Sequence, residues 1–400
     1  MSAFAGWDSG APVDQRAIRA YRLERVRRLA GEAGLAAVLI TDPVNLRYAT
    51  GTRNMQVWTL HNLCRYALVP VEGPVTLWEL PSSAHLSRGL ETLDEIRPSL
   101  AWDYMSVGPR GTEMARRLAA ELADLLRSLG GGRLGIARAD LPLSAALAEA
   151  QVQAVDAKGV LERARAIKSP EELRSFVQSL RTTEAAIAEL RAEARPGMSE
   201  QAALAVLLAG SIRRGGEYPE TRLLTSGPRT NPWFQETGER VMEAGDLLSF
   251  DTDLIGPGGW YTDLSRSFVI GERKPSDAQR RLYDLARRQL ATNIALLRPG
   301  VGFFELTEQA FQLPDDCKPN RYADIAHGCG LGVEYPLIWY AEDAEWGAYD
   351  GVLEAGMVVC VESYIGAVGG REGVKLEEPV LITEAGPVVL SATPFEESFA

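Results

Sequence analysis

Two apolar segments with aspartates embedded in them constrain this chain more than any other feature. The run over residues 248–270 predicts two strands joined by Gly256–Gly259, a cluster of turn-forming residues suited to a hairpin. If the turn centres on the third residue of this cluster, Asp253 faces Asp263 across the hairpin. Asp251 lies two residues back on its strand and points to the same side. Like charges this close are destabilising, so either a cation neutralises them or one carboxylate faces solvent at a strand end.

Two glutamates and one histidine extend this pattern towards the end of the chain. Glu362 follows the apolar residues 357–361, and Glu377 lies in the largely apolar run 373–382. Buried glutamates need partners. His327 is the only histidine in this half, because the other two are His61 and His85. One imidazole with four or five carboxylates predicts an oxygen-rich site for two divalent metal ions, among which Fe, Mn, Zn, Co and Ni are not distinguished. Surface ion pairs are the alternative.

The patterns of helices and strands divide the chain into two predicted domains. Helical and apolar strand segments alternate in the first part, which predicts an α/β domain over residues 1–160. Ser169–Glu172 then supplies an N-cap, a first-turn proline and acidic residues, and it opens a region of mixed strands and helices. We therefore expect an α+β second domain over residues 161–400. The glycine runs form no strand-GxGxxG-helix unit, so the dinucleotide fingerprint is absent from the sequence.

The composition limits the binding partners and the cellular compartment that we expect for this protein. The chain has 42 Lys and Arg against 54 Asp and Glu, a formal charge of −12, which disfavours binding to nucleic acid or to an anionic membrane surface. No apolar run approaches the ~18 residues that a membrane span requires, and no signal-peptide pattern is found. Four cysteines without C-x-x-C spacing predict reduced thiols, and we expect a soluble cytoplasmic protein.

The chain resembles the creatinase, aminopeptidase P and prolidase family, which has the pita-bread fold. The resemblance rests on the order Asp, Asp, His, Glu, Glu, on the glycine-flanked histidine, on the linker over residues 165–172, on residues 377–383 and on the Asp42-Pro43-x-Asn45-x-x-Tyr48 segment. It implies a pita-bread catalytic domain, a homodimer and five metal ligands, which fall on Asp251 or Asp253, then Asp263, His327, Glu362 and Glu377. The spacing from Asp263 to either earlier aspartate differs by one residue from the family's usual spacing, so both are candidate ligands.

Within that family the chain is similar to the metal-dependent dimethylsulfoniopropionate lyases. The similarity rests on residues 225–236, on the Asp251–Asp253 segment, on Asn54-Met55-Gln56-x-Trp58 and on the glycines at 369 and 370. It implies a β-elimination from a small carboxylate substrate that releases dimethyl sulfide and leaves acrylate. The alternative is hydrolysis of an Xaa-Pro or related C–N bond, and a metal-free binding module is a third class. The histidines that the family's peptidases usually carry near Trp233 and near Glu334 are missing here.

The same resemblance suggests candidates for the catalytic base and for substrate binding. Val333 stands where the lyases have an aspartate credited with base function, whereas Tyr322, five residues before His327, matches a tyrosine of the lyase site. Tyr322 and Glu334 are therefore the candidate bases, with Tyr322 preferred. An aromatic wall suits a sulfonium substrate through cation–π attraction, and a cation could clamp its carboxylate. The candidate substrate-binding residues are Trp58, His61, Arg229, Trp233 and Phe234; the alternatives are ordinary packing for the aromatics and charge balance for Arg229 and Arg266.

Overall fold

The computed structural model describes residues 11–399, which form two compact units. One unit covers residues 14–165, and the other comprises residues 11–13 together with the chain from residue 166 onwards. The division falls at the end of the helix Lys158–Ala166. The predicted domain boundary near residue 160 lies inside this helix.

The first unit is an α/β structure built on a six-stranded mixed sheet. The strands are β1 (Leu35–Ile40), β2 (Tyr66–Pro70), β3 (Thr76–Glu79), β4 (Glu95–Pro98), β5 (Arg133–Ile136) and β6 (Ala154–Asp156). The helices are α1 (Gln15–Glu32), α2 (Pro43–Thr50), α3 (Gln56–His61), α4 (Tyr104–Val107), α5 (Gly111–Ser128), α6 (Leu141–Glu149) and α7 (Lys158–Ala166). In strand order the sheet runs β4-β3-β2-β1-β5-β6, and β1 pairs antiparallel with β2 and parallel with β5. Leu118 and Leu122 of the long helix α5 are buried against sheet residues such as Leu39 and Tyr66.

The second unit combines four helices with three sheets among its described residues. The helices are α8 (Pro170–Glu193), α9 (Glu200–Arg213), α10 (Asp277–Leu296) and α11 (Phe303–Gln309). The strands are β7 (Tyr218–Pro219), β8 (Leu224–Ser226), β9 (Leu247–Asp251), β10 (Leu254–Ile255), β11 (Tyr261–Thr262), β12 (Ser265–Val269), β13 (Asp324–Cys329), β14 (Val333–Trp339), β15 (Val358–Ile365), β16 (Val374–Thr383) and β17 (Gly386–Val389). The sheets have the strand orders β11-β10-β7, β12-β9-β8 and β14-β13-β15-β16-β17.

Strands β15 and β16 separate an apolar face from a polar one. Val359 and Val361 of β15, with Leu376 and Val380 of β16, join the same hydrophobic core as helix α10. Because side chains alternate along a strand, the residues between them point to the opposite face of the sheet. That opposite face carries the two glutamates of the predicted metal site, with Glu362 directly paired to Glu377 in the antiparallel register.

Candidate metal centre

The hairpin that carries the three aspartates is interrupted in its middle. Asp251 pairs with Ser265 in the β9–β12 ladder, and Leu254 pairs with Thr262 in the β10–β11 ladder. In this register Asp253 falls opposite Asp263, within the interruption, and it has a positive φ of 41°. The hydroxyl of Thr252 bridges the gap, donating to the carbonyl of Thr262 at 2.8 Å and accepting from the N–H of Leu264 at 3.0 Å. The two predicted continuous strands are therefore each divided into two, and the break positions Asp253.

The structure brings all six predicted metal ligands into the same part of the second unit. We call this set the acidic cluster: Asp251, Asp253, Asp263, His327, Glu362 and Glu377, all buried. His327 Nε2 lies 3.6 Å from Asp263 Oδ2, 3.5 Å from Glu362 Oε1 and 3.6 Å from Glu377 Oε1. Candidate ligand atoms lie within 4.8 Å of one another in three groups. These groups are Asp263–His327–Cys360–Glu377, Asp251–Glu362–Glu377 and Asp251–Asp253–Asp263.

Several oxygens of the acidic cluster lack any hydrogen bond although they are buried. These oxygens are Asp263 Oδ1, Glu362 Oε1 and Glu377 Oε1. A buried carboxylate oxygen that accepts no hydrogen bond destabilises the folded state. A bound cation would compensate for the missing hydrogen-bond donor. Carboxylates and one imidazole are the donor set that a divalent transition-metal ion prefers. The side chains present therefore fit a divalent metal ion.

Electrostatics in the acidic cluster favour the arrival of a cation. Burial raises the pKa of Asp263 and of Glu362, and repulsion from the carboxylate of Glu377 raises both further. Burial lowers the pKa of His327, but the nearby carboxylates of Glu362 and Glu377 outweigh burial and raise this pKa well above its ordinary value. A divalent ion would favour the ionised carboxylates and the neutral imidazole.

Asp253 differs from the other carboxylates because both of its oxygens already have hydroxyl partners. Tyr261 donates to its Oδ1 and Thr221 donates to its Oδ2, both through short hydrogen bonds. Asp253 still lies within ligand distance of Asp251 and Asp263. Its side chain is therefore held in place before any ion binds.

Lys375 is part of this site, and the sequence analysis did not single it out. Its Nζ donates to Glu362 Oε2 at 2.5 Å, to Ser265 Oγ at 2.8 Å and to Glu377 Oε2 at 3.2 Å, and it lies 3.1 Å from Asp251 Oδ2. The residue is fully buried, with 0% of its surface exposed. The sequence contained a signal, because a residue two positions before Glu377 on a strand must share its face.

Tyr322 connects the acidic cluster to an aromatic group. Its ring lies over Lys375 Nζ, with 4.5 Å from the nitrogen to the ring centroid, and 5.0 Å from the ring centroid of Phe234. Trp233 is buried, and its ring packs on Tyr364 at 5.9 Å. Burial and the neighbouring carboxylate of Glu362 raise the pKa of Tyr322 well above its ordinary value. The predicted residues Tyr322, Trp233 and Phe234 are thus brought together.

The other predicted site residues have different surroundings. Glu334 is buried and accepts a hydrogen bond from Lys168 Nζ at 2.6 Å, while Val333 beside it is 51% exposed. Arg229 is paired with the buried Glu200, and it donates to the carbonyl of Glu236 at 2.7 Å. Its described partners therefore lie outside the acidic cluster.

Two predicted substrate-binding residues belong to the first unit. Trp58 and His61 lie on the short helix α3, where Trp58 is half-buried and His61 is exposed. Their role in binding substrate stays a prediction.

Comparison with known proteins assigns the chain to a family. Residues 175–384 match the model of metallopeptidase family M24, and residues 22–167 match the creatinase/prolidase N-terminal domain. The chain belongs to family M24. The predicted resemblance is confirmed, as is the predicted fold class of an α/β N-terminal domain followed by a pita-bread catalytic domain.

Relatives of this M24 protein include both lyases and peptidases. It is 38% identical to the dimethylsulfoniopropionate lyase DddP of Roseovarius nubinhibens, over 98% of this chain and 90% of the relative. It is 26% identical to the uncharacterised peptidase YqhT of Bacillus subtilis, over 94% of this chain and 99% of the relative. Among solved structures, the Xaa-Pro dipeptidase of Bacillus anthracis superimposes with a TM-score of 0.75 at 21% identity, covering 94% of this chain and 99% of the other. At that identity the likeness shows the shared fold alone.

One further finding concerns membranes. Among the described residues, none of the helices combines the length and the apolar character that crossing a bilayer requires.

Proposed function

We propose that this M24 enzyme is a divalent-metal-dependent lyase. The proposed reaction is β-elimination from a small sulfonium carboxylate of the dimethylsulfoniopropionate type, which gives dimethyl sulfide and acrylate. The observation that carries the proposal is the 38% identity to dimethylsulfoniopropionate lyases across nearly the whole chain, against 25–27% for the peptidase relatives. The proposed partner is a small molecule, with no role for nucleic acid or membrane. A homodimer and a cytoplasmic location are part of the same proposal.

The site chemistry supports this reaction more than it supports peptide hydrolysis. His327 is the only histidine beyond residue 85, and it faces three carboxylates. No second imidazole in this half of the sequence can therefore protonate the leaving amine of a peptide. Elimination of a neutral sulfide needs no such acid, because the C–S electron pair leaves with the sulfur.

The acidic cluster is the proposed metal site. Asp251, Asp253, Asp263, His327, Glu362 and Glu377 are its proposed ligands, for two divalent ions per chain. When bound, the metal would act as a Lewis acid on the substrate carboxylate and so acidify the proton on the adjacent carbon. The cluster's buried oxygens without donors support this assignment.

Tyr322 is the proposed base. Its phenolate oxygen would take the proton from the carbon next to the carboxylate, the C–H electrons would form the new double bond, and the C–S bond would break. Tyr322 lies beside the acidic cluster, whereas Glu334 is already held by Lys168. A bound cation opposes the carboxylates that raise the pKa of Tyr322, and it therefore favours the phenolate. The rings of Trp233 and Phe234 would face the sulfonium.

A direct comparison of substrates tests the proposal. The chelated protein is reloaded with Mn²⁺, Fe²⁺, Co²⁺, Ni²⁺ or Zn²⁺ and is given dimethylsulfoniopropionate or an Xaa-Pro dipeptide. We expect volatile dimethyl sulfide by gas chromatography and no free proline, with the His327→Ala protein as the inactive control. Release of proline without sulfide would replace this proposal with the hydrolase alternative.

The hydrolase alternative has one specific observation in its favour. Val333 is apolar and exposed at the position where the resemblance to the lyases places an aspartate. A chain without that carboxylate can have moved to another substrate. Hydrolysis of an Xaa-Pro or related C–N bond therefore remains the second candidate function.

A further inference from the structure

Asn231 ties the segment that carries the proposed sulfonium-binding aromatics to other parts of the second unit. We propose that Asn231 is a positioning residue, which holds Phe234 beside Tyr322 and so sets the preference of the site for a cationic substrate. The hydrogen-bond partners described for Asn231 lie outside the acidic cluster. This inference rests on the proposed function, since it assumes that these aromatic rings face a sulfonium.

The amide of Asn231 is buried and makes hydrogen bonds to three other segments. Its Nδ2 donates to the carbonyl oxygen of Ala367 at 2.8 Å and to that of Gly370 at 2.9 Å. Its Oδ1 accepts from Nδ2 of Asn320 at 3.0 Å and lies 3.0 Å from the hydroxyl of Tyr364. Both N–H donors of the amide are therefore used, and its oxygen has partners too. Truncation of this side chain would release the loop at residues 367–370 from the aromatic segment.

Two glycines leave room for this junction. A Cβ atom on Gly366 would lie 2.6 Å from Asn231 Oδ1, and one on Gly370 would lie 3.2 Å from Asn231 Nδ2. The first distance is shorter than real Cβ contacts, so a side chain at residue 366 would force the amide to move. Gly370 also belongs to the motif on which the similarity to the lyases rests.

Phe234 needs such an anchor because its own side chain is weakly held. Its ring is 55% exposed, so packing in the core does little to fix where the ring lies. Its φ of 63° is in the left-handed region, where a residue other than glycine is strained and must be held by its surroundings. Asn231 lies three residues earlier and is the buried, hydrogen-bonded end of the same segment. The backbone that leaves Asn231 therefore determines the position of the ring.

The position of Phe234 matters because the proposed substrate carries two charged ends. Its carboxylate would bind at the metal, and its sulfonium would face the aromatic rings. Tyr322 lies between these two regions, with its ring 4.5 Å from Lys375 Nζ and 5.0 Å from the ring of Phe234. Cation–π attraction requires the cation within about 6 Å of a ring centroid. A displaced ring would thus weaken the binding of a cation more than that of a neutral group of the same shape.

Two ligands of equal shape test the inference. One is the trimethylammonium analogue of the proposed substrate, and the other is its neutral isostere, in which carbon replaces the nitrogen. Isothermal titration calorimetry measures the affinity of the metal-loaded protein for each. We expect Asn231→Ala to lower the ratio of the two affinities, cation over neutral ligand, roughly fivefold or more. Metal content should stay unchanged, because Asn231 is not a proposed ligand.

Matched variants separate positioning from a general loss of stability. Asn293 is a buried asparagine of α10 in the same unit, and its side chain accepts a hydrogen bond from the N–H of Phe311 at 2.9 Å. Asn293→Ala should therefore keep the wild-type affinity ratio. Gly366→Ala should lower the ratio as Asn231→Ala does, because it displaces the amide without removing it. Gly366→Ala decides the question if Asn231→Ala does not fold.

The outcomes also separate this inference from the proposed function. An unchanged affinity ratio in folded Asn231→Ala refutes the positioning role, and so does an equal fall in Asn293→Ala. Wild type that releases dimethyl sulfide but has the same ratio as Phe234→Ala refutes the role of the ring and keeps the lyase. Wild type whose ratio falls in Asn231→Ala, but which releases no dimethyl sulfide, keeps the positioning role and refutes the proposed reaction.

Discussion

At the scale of single residues, His327 links the two glutamates to Asp263. Its Nε2 lies 3.5–3.6 Å from all three carboxylates, a separation too long for strong hydrogen bonds and suited to an ion between them. We predict that His327→Ala and Glu377→Ala each lower metal affinity at least about tenfold, because each removes a proposed ligand of the acidic cluster. Elemental analysis after dialysis measures the loss, with the exposed His85→Ala as control. Wild-type metal content in both cluster variants would contradict this ligand assignment.

The two neighbouring aspartates give a second prediction. Asp251 accepts a hydrogen bond from Ser265 and lies beside Lys375, whereas Asp253 is held by Tyr261 and Thr221. We expect Asp251→Ala and Asp253→Ala both to weaken metal binding, because both lie within ligand distance of Asp263. Tyr261→Phe should weaken it less than Asp253→Ala, since it removes one hydrogen bond and leaves the carboxylate. Asp251→Asn with unchanged metal content and rate would remove Asp251 from the ligand set.

The proposed base gives a third prediction, which separates chemistry from metal binding. Tyr322→Phe should keep the metal and lose about 100-fold or more in turnover, because a general base typically contributes that much. Glu334→Gln should retain more turnover, since Glu334 is paired with Lys168 in the structure. Turnover is compared with metal content for each protein. Full activity in both variants would exclude both residues as the base, and a gain on Val333→Asp would indicate that the chain has moved away from lyase chemistry.

The sequence identified the acidic residues but not their cation partner. Asp251, Glu362 and Glu377 stand out because charged groups in apolar strands need an explanation. Lys375 lies in an equally apolar strand, and its spacing of two residues from Glu377 indicates only that these two side chains share a face. Its contacts with Asp251 and Glu362 come from two other strands, and residue spacing along one strand cannot reveal them. The pairing of Glu334 with Lys168 was missed for the same reason.

At the scale of elements, helix α8 begins with a complete capping box. The hydroxyl of Ser169 accepts from the N–H of Glu172 at 3.2 Å, and the Glu172 carboxylate accepts from the N–H of Ser169 at 2.9 Å. We predict that Ser169→Ala lowers the free energy of unfolding by about 1 kcal/mol, because it leaves a helix N–H without its acceptor. Urea unfolding followed by circular dichroism measures the change, and Ser169→Thr serves as the conservative control. A change below about 0.3 kcal/mol would show that water replaces the cap.

The strand elements were predicted more accurately than their interruptions. Alternation and turn residues located the hairpin and the strands Val358–Ile365 and Val374–Thr383. The break at Thr252 and Asp253 was not predicted, because it depends on the side-chain hydrogen bonds of Thr252 to the opposite strand. Local propensity favours a continuous strand there, and tertiary contacts override it.

At the scale of the whole molecule, metal binding should stabilise the second unit. A ligand that binds only the folded state adds RT ln(1 + [L]/Kd), or about 2.7 kcal/mol at a concentration 100 times the Kd. We predict that removing the metal with a chelator lowers the melting temperature of the wild type by several degrees. The difference should shrink in His327→Ala, which serves as the control because it lacks a ligand. Equal melting temperatures with and without metal in the wild type would contradict the site.

The motifs that resemble a known family predicted the architecture of the whole chain in more detail than the periodicity of its apolar residues did. Periodicity indicated an α/β part followed by an α+β part, and the resemblance supplied the pita-bread fold. The order of the strands, β4-β3-β2-β1-β5-β6 in the first unit, could not be read from the sequence, because it depends on long-range pairing.

The strands that complete the acidic cluster are synthesised after all its other residues. The aspartates and His327 precede β15 and β16, which carry Glu362 and Glu377. Domains generally fold as units, the N-terminal one first, while the ribosome is still adding residues. A nascent chain therefore holds three aspartates and a histidine before either glutamate exists. The complete donor set of the acidic cluster therefore exists only after β15 and β16 have been synthesised and have paired.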